Sequence, residues 1–290
     1  MTKTDYPDAE KFAKLTGIPS RFLIEAFTLE KKFHKAILQE TSFSKRLDMY
    51  RELYQTVYSI YRKAKLETYR NPKGKTVRLF RKELENKSIL DIGCGEGHFL
   101  AELDARIKHR RLTGIDVAIP PPEKRHPEIK FISSNVIQFK LKHSYDVVFS
   151  DQVLEHIAPA VLDLLVHSVR AALKPDGIFI INMPHKFFGP NDVTQIVDYS
   201  RTGRIPAQGA HLNESTYAEM IPLLMKHGFK DFKTVFPLPK VKHVFRRARF
   251  SPSMLLWAEN HPFVIRWLHA LKYRGRCMAG FEITLICRRD

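Results

Sequence analysis

The chain has 290 residues, 44% of them apolar and 27% charged, with a net charge of +17. This excludes a disordered chain and supplies one sizeable core plus an accessory segment, while the positive excess favours anionic partners: nucleic acid, an acidic membrane surface or a phosphorylated small molecule. Cys94, Cys277 and Cys287 are too few and too scattered for a disulfide framework or a zinc module, the N-terminal MTKTDYPDAEKFAK has no apolar signal core, and no stretch approaches the ~18 uninterrupted apolar residues of a membrane span.

The expectation is therefore a soluble, cytoplasmic protein of a reducing compartment. Residues 1–85 read as a helical accessory or lid segment. Ser20 is placed to cap a helix through RFLIEAF. From Phe43 to Lys65, Leu47, Tyr50, Leu53, Tyr54, Val57, Tyr58 and Tyr61 recur at three- and four-residue steps, the helical period, and RNPKG (Arg70–Gly74) breaks that helix.

From residue 86 to 290 strands alternate with helices. SILDI, RLTGIDV, IKFIS and YDVVFS read as strands, with HFLAELDARI and PAVLDLLVHSVRAAL as helices. KPDG turns the chain into a fifth strand, GIFIINMP, and a long loop, His185–Leu212, follows. Its length marks a lid or binding loop. Thr216 with Glu219 forms a capping box for the helix TYAEMIPLLMKHGF, and FKTVFPLP and GFEITLIC supply two last strands. This order implies an α/β fold: a Rossmann-like, seven-stranded, mostly parallel sheet with helices on both faces. Between the last two strands lies a basic insertion, about 240–276, with Trp257 and Trp267 among its lysines and arginines. It reads either as helices packed on the core with a solvated rim or as a contact for an anionic membrane surface, which would make the protein peripheral to the membrane.

LDIGCGEGHFL (Leu90–Leu100) places Gly93, Gly95 and Gly97 directly after the first strand. Such a turn lets a ligand approach bare backbone. The GxGxxG dinucleotide fingerprint fails, because its third glycine would fall on His98, and no GK[ST] follows for a P-loop. The spacing instead resembles the first motif of class I S-adenosylmethionine-dependent methyltransferases, with Asp91, Gly93, Cys94, Gly95 and Gly97 in its places. The resemblance runs in order from about Ser88 to Pro184. It implies that Asp91 meets the α-ammonium of S-adenosylmethionine. Asp116, at the end of the second strand with Val117 after it, holds the ribose hydroxyls. Asn135 and Val136 meet the adenine. Asp151 and Gln152, in YDVVFSDQVLEHI, line the fourth-strand loop. The implied product of the cofactor is S-adenosylhomocysteine.

Methyl transfer is an in-line displacement that needs alignment and exclusion of water, and an oxygen acceptor of high pKa needs a base as well. The acceptor belongs beyond the carboxyl ends of the strands. That makes Asp151, Gln152, Glu155, His156, His185 and His211 candidates, with His211 first and His185 second as general base. The segments PHKFFGPND and HLNESTYAEMIPLLMKHGF resemble bacterial methyltransferases of small molecules or glycans. The expected acceptor is a small molecule methylated at oxygen: a sugar, a natural product or a lipid-linked intermediate.

No [ND]PP[YF] signature and no Pro-Cys pair are present, which disfavours amino-base and cytosine C5 methylation. QVLEH (Gln152–His156) is similar to the ExxEH of methyltransferases that bind a divalent metal, but Gln152 is a poor ligand for a hard cation. No metal is therefore expected, with Glu155 and His156 as the fallback ligands. One rival reading keeps the chemistry and takes RNA as acceptor through Arg62–Lys82, where Tyr61, Tyr69 and Phe80 interleave with basic residues. Another is a non-catalytic cofactor-binding protein.

Overall fold

The computed structural model describes residues 5–64, 73–238 and 241–290. Arg70, Asn71 and Pro72 of RNPKG, and Lys65 and Tyr69 of the basic stretch, lie outside the described residues, as does Lys240. Three helices come first: α1 (Ala9–Thr16), α2 (Ser20–Gln39) and α3 (Phe43–Lys63), with the short α4 (Gly74–Leu79) and α5 (Arg81–Leu84) after them. The alternating part is β1 (Ser88–Ile92), α6 (His98–Asp104), β2 (Arg111–Asp116), β3 (Ile129–Ser133), β4 (Tyr145–Asp151), α7 (Pro159–Ala172), β5 (Leu173–Pro184), α8 (Tyr217–Lys226) and β6 (Phe229–Lys233). The insertion holds α9 (Ser253–Glu259), α10 (Pro262–Ala270) and a hairpin, β7 (Lys272–Tyr273) with β8 (Arg276–Cys277), before β9 (Glu282–Arg289).

The sheet order is β3-β2-β1-β4-β5-β9-β6; β9 runs antiparallel to β5 and to β6, and the other pairings are parallel. β1 is buried at every position, as a central parallel strand with both faces covered must be. Its side chains alternate between two apolar layers. Leu90 and Ile92 join α3, α7 and α8 on one face, and Ile89 joins α4, α5 and α6 on the other. Tyr50, Leu53 and Val57 of α3 belong to the first layer, so the N-terminal helices share the sheet's core.

Four local expectations change. Ser20 is the first residue of α2 rather than its cap; Pro19 takes the cap position, and the Ser20 hydroxyl donates to Glu10 Oε1 at 2.7 Å. KPDG is an irregularity inside β5, with Asp176 left-handed, rather than a turn before it. The sixth strand lies at Phe229–Lys233, beginning ahead of the FKTVFPLP run and sharing only Phe232 and Lys233 with it, and Thr234 adds one isolated bridge to Phe250. The loop after β5 is packed, not loose: Phe188, Val193, Thr194, Gln195 and Ile196 are buried, and Val193 and Ile196 form an apolar cluster with α1 and α2. The capping box of α8 is present, Thr216 accepting from Glu219 N and Glu219 accepting from Thr216 N.

Candidate active site

The turn after β1 carries three left-handed glycines with different duties. A Cβ on Gly93 would sit 2.4 Å from Val153, and one on Gly97 2.6 Å from the Phe131 ring. These two are glycines because their neighbours fill the space. Gly95, at φ +51, has nothing within 4 Å of its Cβ direction and faces an open cradle. Cys94 turns its sulfur toward Gly114, where a Cβ would come within 2.6 Å. Burial, with Asp91 and Asp116 nearby, pushes its thiol well above the usual range, so it is a packing residue and not a nucleophile.

Three carboxylates, Asp91, Asp116 and Asp151, and the amides of Asn135, Gln152 and Asn182 come from the strand ends and loops about this cradle. Asp116 Oδ2 accepts from Gly95 N at 2.9 Å and Oδ1 from Ala118 N at 3.0 Å, tying the end of β2 to the glycine turn. Asp91 is buried, and among the described residues no hydrogen bond reaches its carboxylate. Burial, with Asp151 close by, raises its pKa well above the carboxylate range, against the opposing charge of Lys73. Asp151 is held by Lys73 Nζ at 2.8 Å and by Asn182 Nδ2 at 2.6 Å; Thr284 Oγ1 donates to Asn182 Oδ1 at 3.0 Å and fixes that amide. Gln152, exposed, adopts a left-handed φ of 61°, an unusual backbone state for a residue with a side chain. Asn135 Oδ1 accepts from Gln138 N at 2.7 Å and so orders the loop after β3; Val136 leans on the core and Val117 is exposed. Tyr58 of α3 lies near enough to Asp116 for that charge, after burial, to raise its hydroxyl pKa.

A second polar cluster sits under the loop after β4. Glu155 is fully buried and neither of its carboxylate oxygens has a hydrogen bond; burial pushes it up to about 8 although the nearby His211 opposes the shift. His156 Nδ1 lies 3.1 Å from the Ala210 carbonyl, so that nitrogen carries the proton. Burial and His211 lower the His156 pKa to about 3. His211 Nδ1 lies 2.8 Å from Glu214 Oε1, and the two histidine rings meet edge to face at 4.9 Å. Burial alone would lower His211, but the Glu214 hydrogen bond and the charges of Asp192 and Glu155 push it up to about 9. Glu30 of α2 accepts from Ala210 N at 2.7 Å and is raised to about 8 by burial and by Asp192. Glu155, His156 and His211 each offer one donor atom within 4.8 Å of the others, a set able to hold a divalent cation.

His211 also lines a cleft of about 750 Å³ with Lys31, His34, Lys35, Lys186 and Gln208. Lys186 pairs with Glu219 at 2.7 Å, whereas Lys31 and Lys35 have no ion pair among the described residues. The cleft is on the side of α2 and α8, not at the glycine turn. His185 is placed differently from His211. It is buried, Nε2 lies 2.7 Å from Glu259 Oε1, and Nδ1 accepts from Phe187 N at 3.2 Å. With both nitrogens engaged it has no lone pair for a substrate proton. Glu259 also accepts from Tyr217 N and Ala218 N at the start of α8, so this pair fastens the insertion to the domain.

Sequence reasoning missed Lys73, Asn182, Glu214 and Glu30. Lys73 was one of many basic residues; Asn182 and Glu30 gain their meaning from chain crossings far apart in sequence, and Glu214, although only three residues from its partner His211, carries no motif that marks it. Phe80, read as a stacking surface for bases, is instead buried edge-on against Phe149.

A family model described as a methyltransferase domain matches residues 62–232, more than half of the chain. The chain belongs to the class I S-adenosylmethionine-dependent methyltransferases. The fold of this methyltransferase is similar to that of the 1,6-didemethyltoxoflavin-N1-methyltransferase of Burkholderia thailandensis, solved with 1,6-didemethyltoxoflavin and S-adenosylhomocysteine, at a TM-score of 0.54 and 16% identity over 86% of this chain and 91% of that one. It is similar also to a SAM-dependent methyltransferase from Archaeoglobus fulgidus, at a TM-score of 0.52 and 16% identity over 80% of this chain and 100% of that one. Among curated proteins, the trans-aconitate 2-methyltransferase of Shigella dysenteriae is 30% identical over 142 residues, 46% of this chain and 56% of that protein. That of an Enterobacter species is 31% identical over 131 residues, 42% and 51% of the two chains. The methyltransferase thus spans about half the length of the curated relatives it matches.

Proposed function

We propose that this methyltransferase transfers the methyl group of S-adenosylmethionine to an oxygen of a small anionic acceptor, in the first place a carboxylate. The observation that carries the reading is the cleft on His211, whose rim holds Lys31 and Lys35, neither in an ion pair among the described residues. A carboxylate is already ionised at neutral pH, so its methylation needs alignment and charge neutralisation rather than a base. The raised pKa of His211 agrees: it keeps the imidazole protonated, a donor to an anion instead of the general base that the sequence pointed to. The relatives named for trans-aconitate act on an acid, which supports the same class of acceptor.

The residues present fit the cofactor. The cradle at Gly95 is open, and Asp91 is a buried carboxylate that no hydrogen bond reaches among the described residues. Asp91 would hold the amino-acid end, Asp116 the ribose, and Asn135 with Val136 the adenine. When bound, the cofactor supplies an electrophilic methyl group on a sulfonium. Lys73 and Asn182 hold the Asp151 carboxylate by a salt bridge and an amide hydrogen bond, and so fix its orientation. The test is labelled methyl transfer to a panel of small di- and tricarboxylic acids, sugars and RNA, followed by mild alkali. Label released as methanol marks an ester and supports the reading; alkali-stable label on a sugar or on RNA overturns the carboxylate assignment.

A second reading rests on Glu155, whose buried oxygens have no donor while His156 and His211 stand beside it. A divalent cation held there would suit a hydroxyl acceptor, whose proton it would make easier to lose. Calorimetric titration with Mn²⁺ tests it: heat that disappears in Glu155→Gln supports a cation, and no heat removes this reading.

A further inference from the structure

The insertion before β9 presents an apolar surface to solvent that neither the cofactor cradle nor the acceptor cleft uses. α10 has no buried residue along its whole length. Its Ile265 and Leu268 lean on Phe187, Phe188 and Cys277, and its opposite side exposes Phe263, Arg266 and Trp267. The patch continues on both sides. Trp257 of α9 lies 6.4 Å from the Phe263 ring, with Met254 one turn before it. The β7–β8 hairpin extends it with Tyr273, and Met278 N donates to Leu271 O at 2.8 Å, closing the hairpin under α10. Trp257, Phe263 and Trp267 are 51%, 57% and 62% exposed, far beyond what isolated surface aromatics need.

The charge around this patch has one sign. Arg266, Lys272 and Arg274 are exposed, and the one acid between residues 241 and 281, Glu259, is turned inward onto His185 and the start of α8. Arg249, Lys242 and Arg276 do not belong to it, since they are spent on Glu83, Glu282 and Gln195. A face that combines protruding Trp, Phe and Met with cations that make no ion pair among the described residues matches the boundary between headgroups and acyl chains of an anionic bilayer. Nucleic acid matches it less well, because Met254, Leu271 and Met278 have no ring to stack on bases. A second copy of the same face would bring like charges together.

We propose that α9, α10 and the β7–β8 hairpin form a docking surface for an anionic phospholipid bilayer, on which the protein lies without crossing it. No helix among the described residues is long and apolar enough to span a membrane. The surface is independent of the acceptor and of the cofactor.

The chain has two tryptophans, and both are on this surface, so intrinsic fluorescence reads it directly. The full chain is titrated with phosphatidylcholine vesicles, alone or with about one-third phosphatidylglycerol, at low and at high salt. The expected result is a blue shift and quenching by brominated lipid with the anionic vesicles only, weakened by salt. In Arg266→Glu/Lys272→Glu/Arg274→Glu, flotation with these vesicles drops at least ~10-fold while the melting curve is unchanged. If that variant does not fold, Lys272→Gln/Arg274→Gln in the exposed hairpin gives the same reading with a smaller loss. Unchanged emission with anionic vesicles overturns the proposal, as does an equal response to neutral ones. A shift with protein concentration alone assigns the face to a second copy, and a shift with RNA but not vesicles assigns it to nucleic acid; either also overturns it.

Discussion

Gly95 and Gly97 share a left-handed backbone and differ in what lies beyond the missing side chain. Gly95→Ala costs about 1 kcal/mol of backbone strain and fits the empty cradle, so the protein melts close to wild type while cofactor affinity falls more than ~10-fold. Gly97→Ala adds a collision with the Phe131 ring and costs about 3 kcal/mol, visible in a denaturant melt before any ligand is added. Equal loss of stability in the two variants would contradict this division. The glycines, Asp91 and Asp116 were legible in the sequence because ligand approach and the end of a strand leave a local mark, a fixed spacing after an apolar run. Lys73 was not, since its meaning comes from a salt bridge to Asp151 across 78 positions. His185 and His211 looked alike as loop histidines. They are told apart by their partners: Glu259 and the Phe187 amide use up both nitrogens of one, while Glu214 takes only Nδ1 of the other.

Among elements, α8 shows how a cap can come from two places. Thr216 and Glu219 make the box that the sequence announced, and Glu259 at the end of α9 supplies two further acceptors for the Tyr217 and Ala218 amides. Glu259→Ala leaves those amides and His185 Nε2 without a partner in a buried place, and about 3 kcal/mol of stability is lost in urea melts. Thr216→Ala loses about 1 kcal/mol by the same measurement. Tyr50 of α3 does similar duty: its hydroxyl accepts from Ala158 N at 2.8 Å just ahead of α7, and Tyr50→Phe costs about 1 kcal/mol. The strand and helix order was readable because hydrophobic period and turn residues are local. The position of β6 was not: FKTVFPLP has the stronger strand pattern, but pairing with β9 begins at Phe229 and breaks its register after Lys230. The 185–212 loop read as a lid or binding loop because of its length; α1 and α2 supply the apolar partners that pack Val193 and Ile196, while Lys186, Gln208 and His211 of the same loop line the cleft.

For the whole molecule, buried titratable groups set how stability depends on pH. Glu30 and Glu155 have folded pKa values raised from 4.5 to about 8, so their contribution is full below pH 4.5 and declines as pH rises toward 8. His211, raised from 6.5 to about 9, contributes fully below pH 6.5 and loses that contribution as pH rises through 9. His156, lowered from 6.5 to about 3, acts the other way and loses stability as pH falls below 6.5. The melting temperature should therefore peak in mildly acidic buffer and fall toward pH 9, and Glu30→Gln should flatten the part of that fall below pH 8. A melting temperature that rises from pH 6 to pH 9 would contradict these environments. The net charge of +17 was visible from composition, but not its distribution: Lys73 and Arg249 are paired within the fold, whereas Lys31 and Lys35 on the cleft and Arg266, Lys272 and Arg274 on the insertion make no ion pair among the described residues. The account depends most on the cradle after β1. Calorimetry of the full chain with S-adenosylhomocysteine, repeated on Asp116→Ala, tests it most directly. Micromolar binding weakened about 100-fold in the variant is the predicted result; no binding to the wild type at millimolar ligand, or equal binding to both, would contradict it.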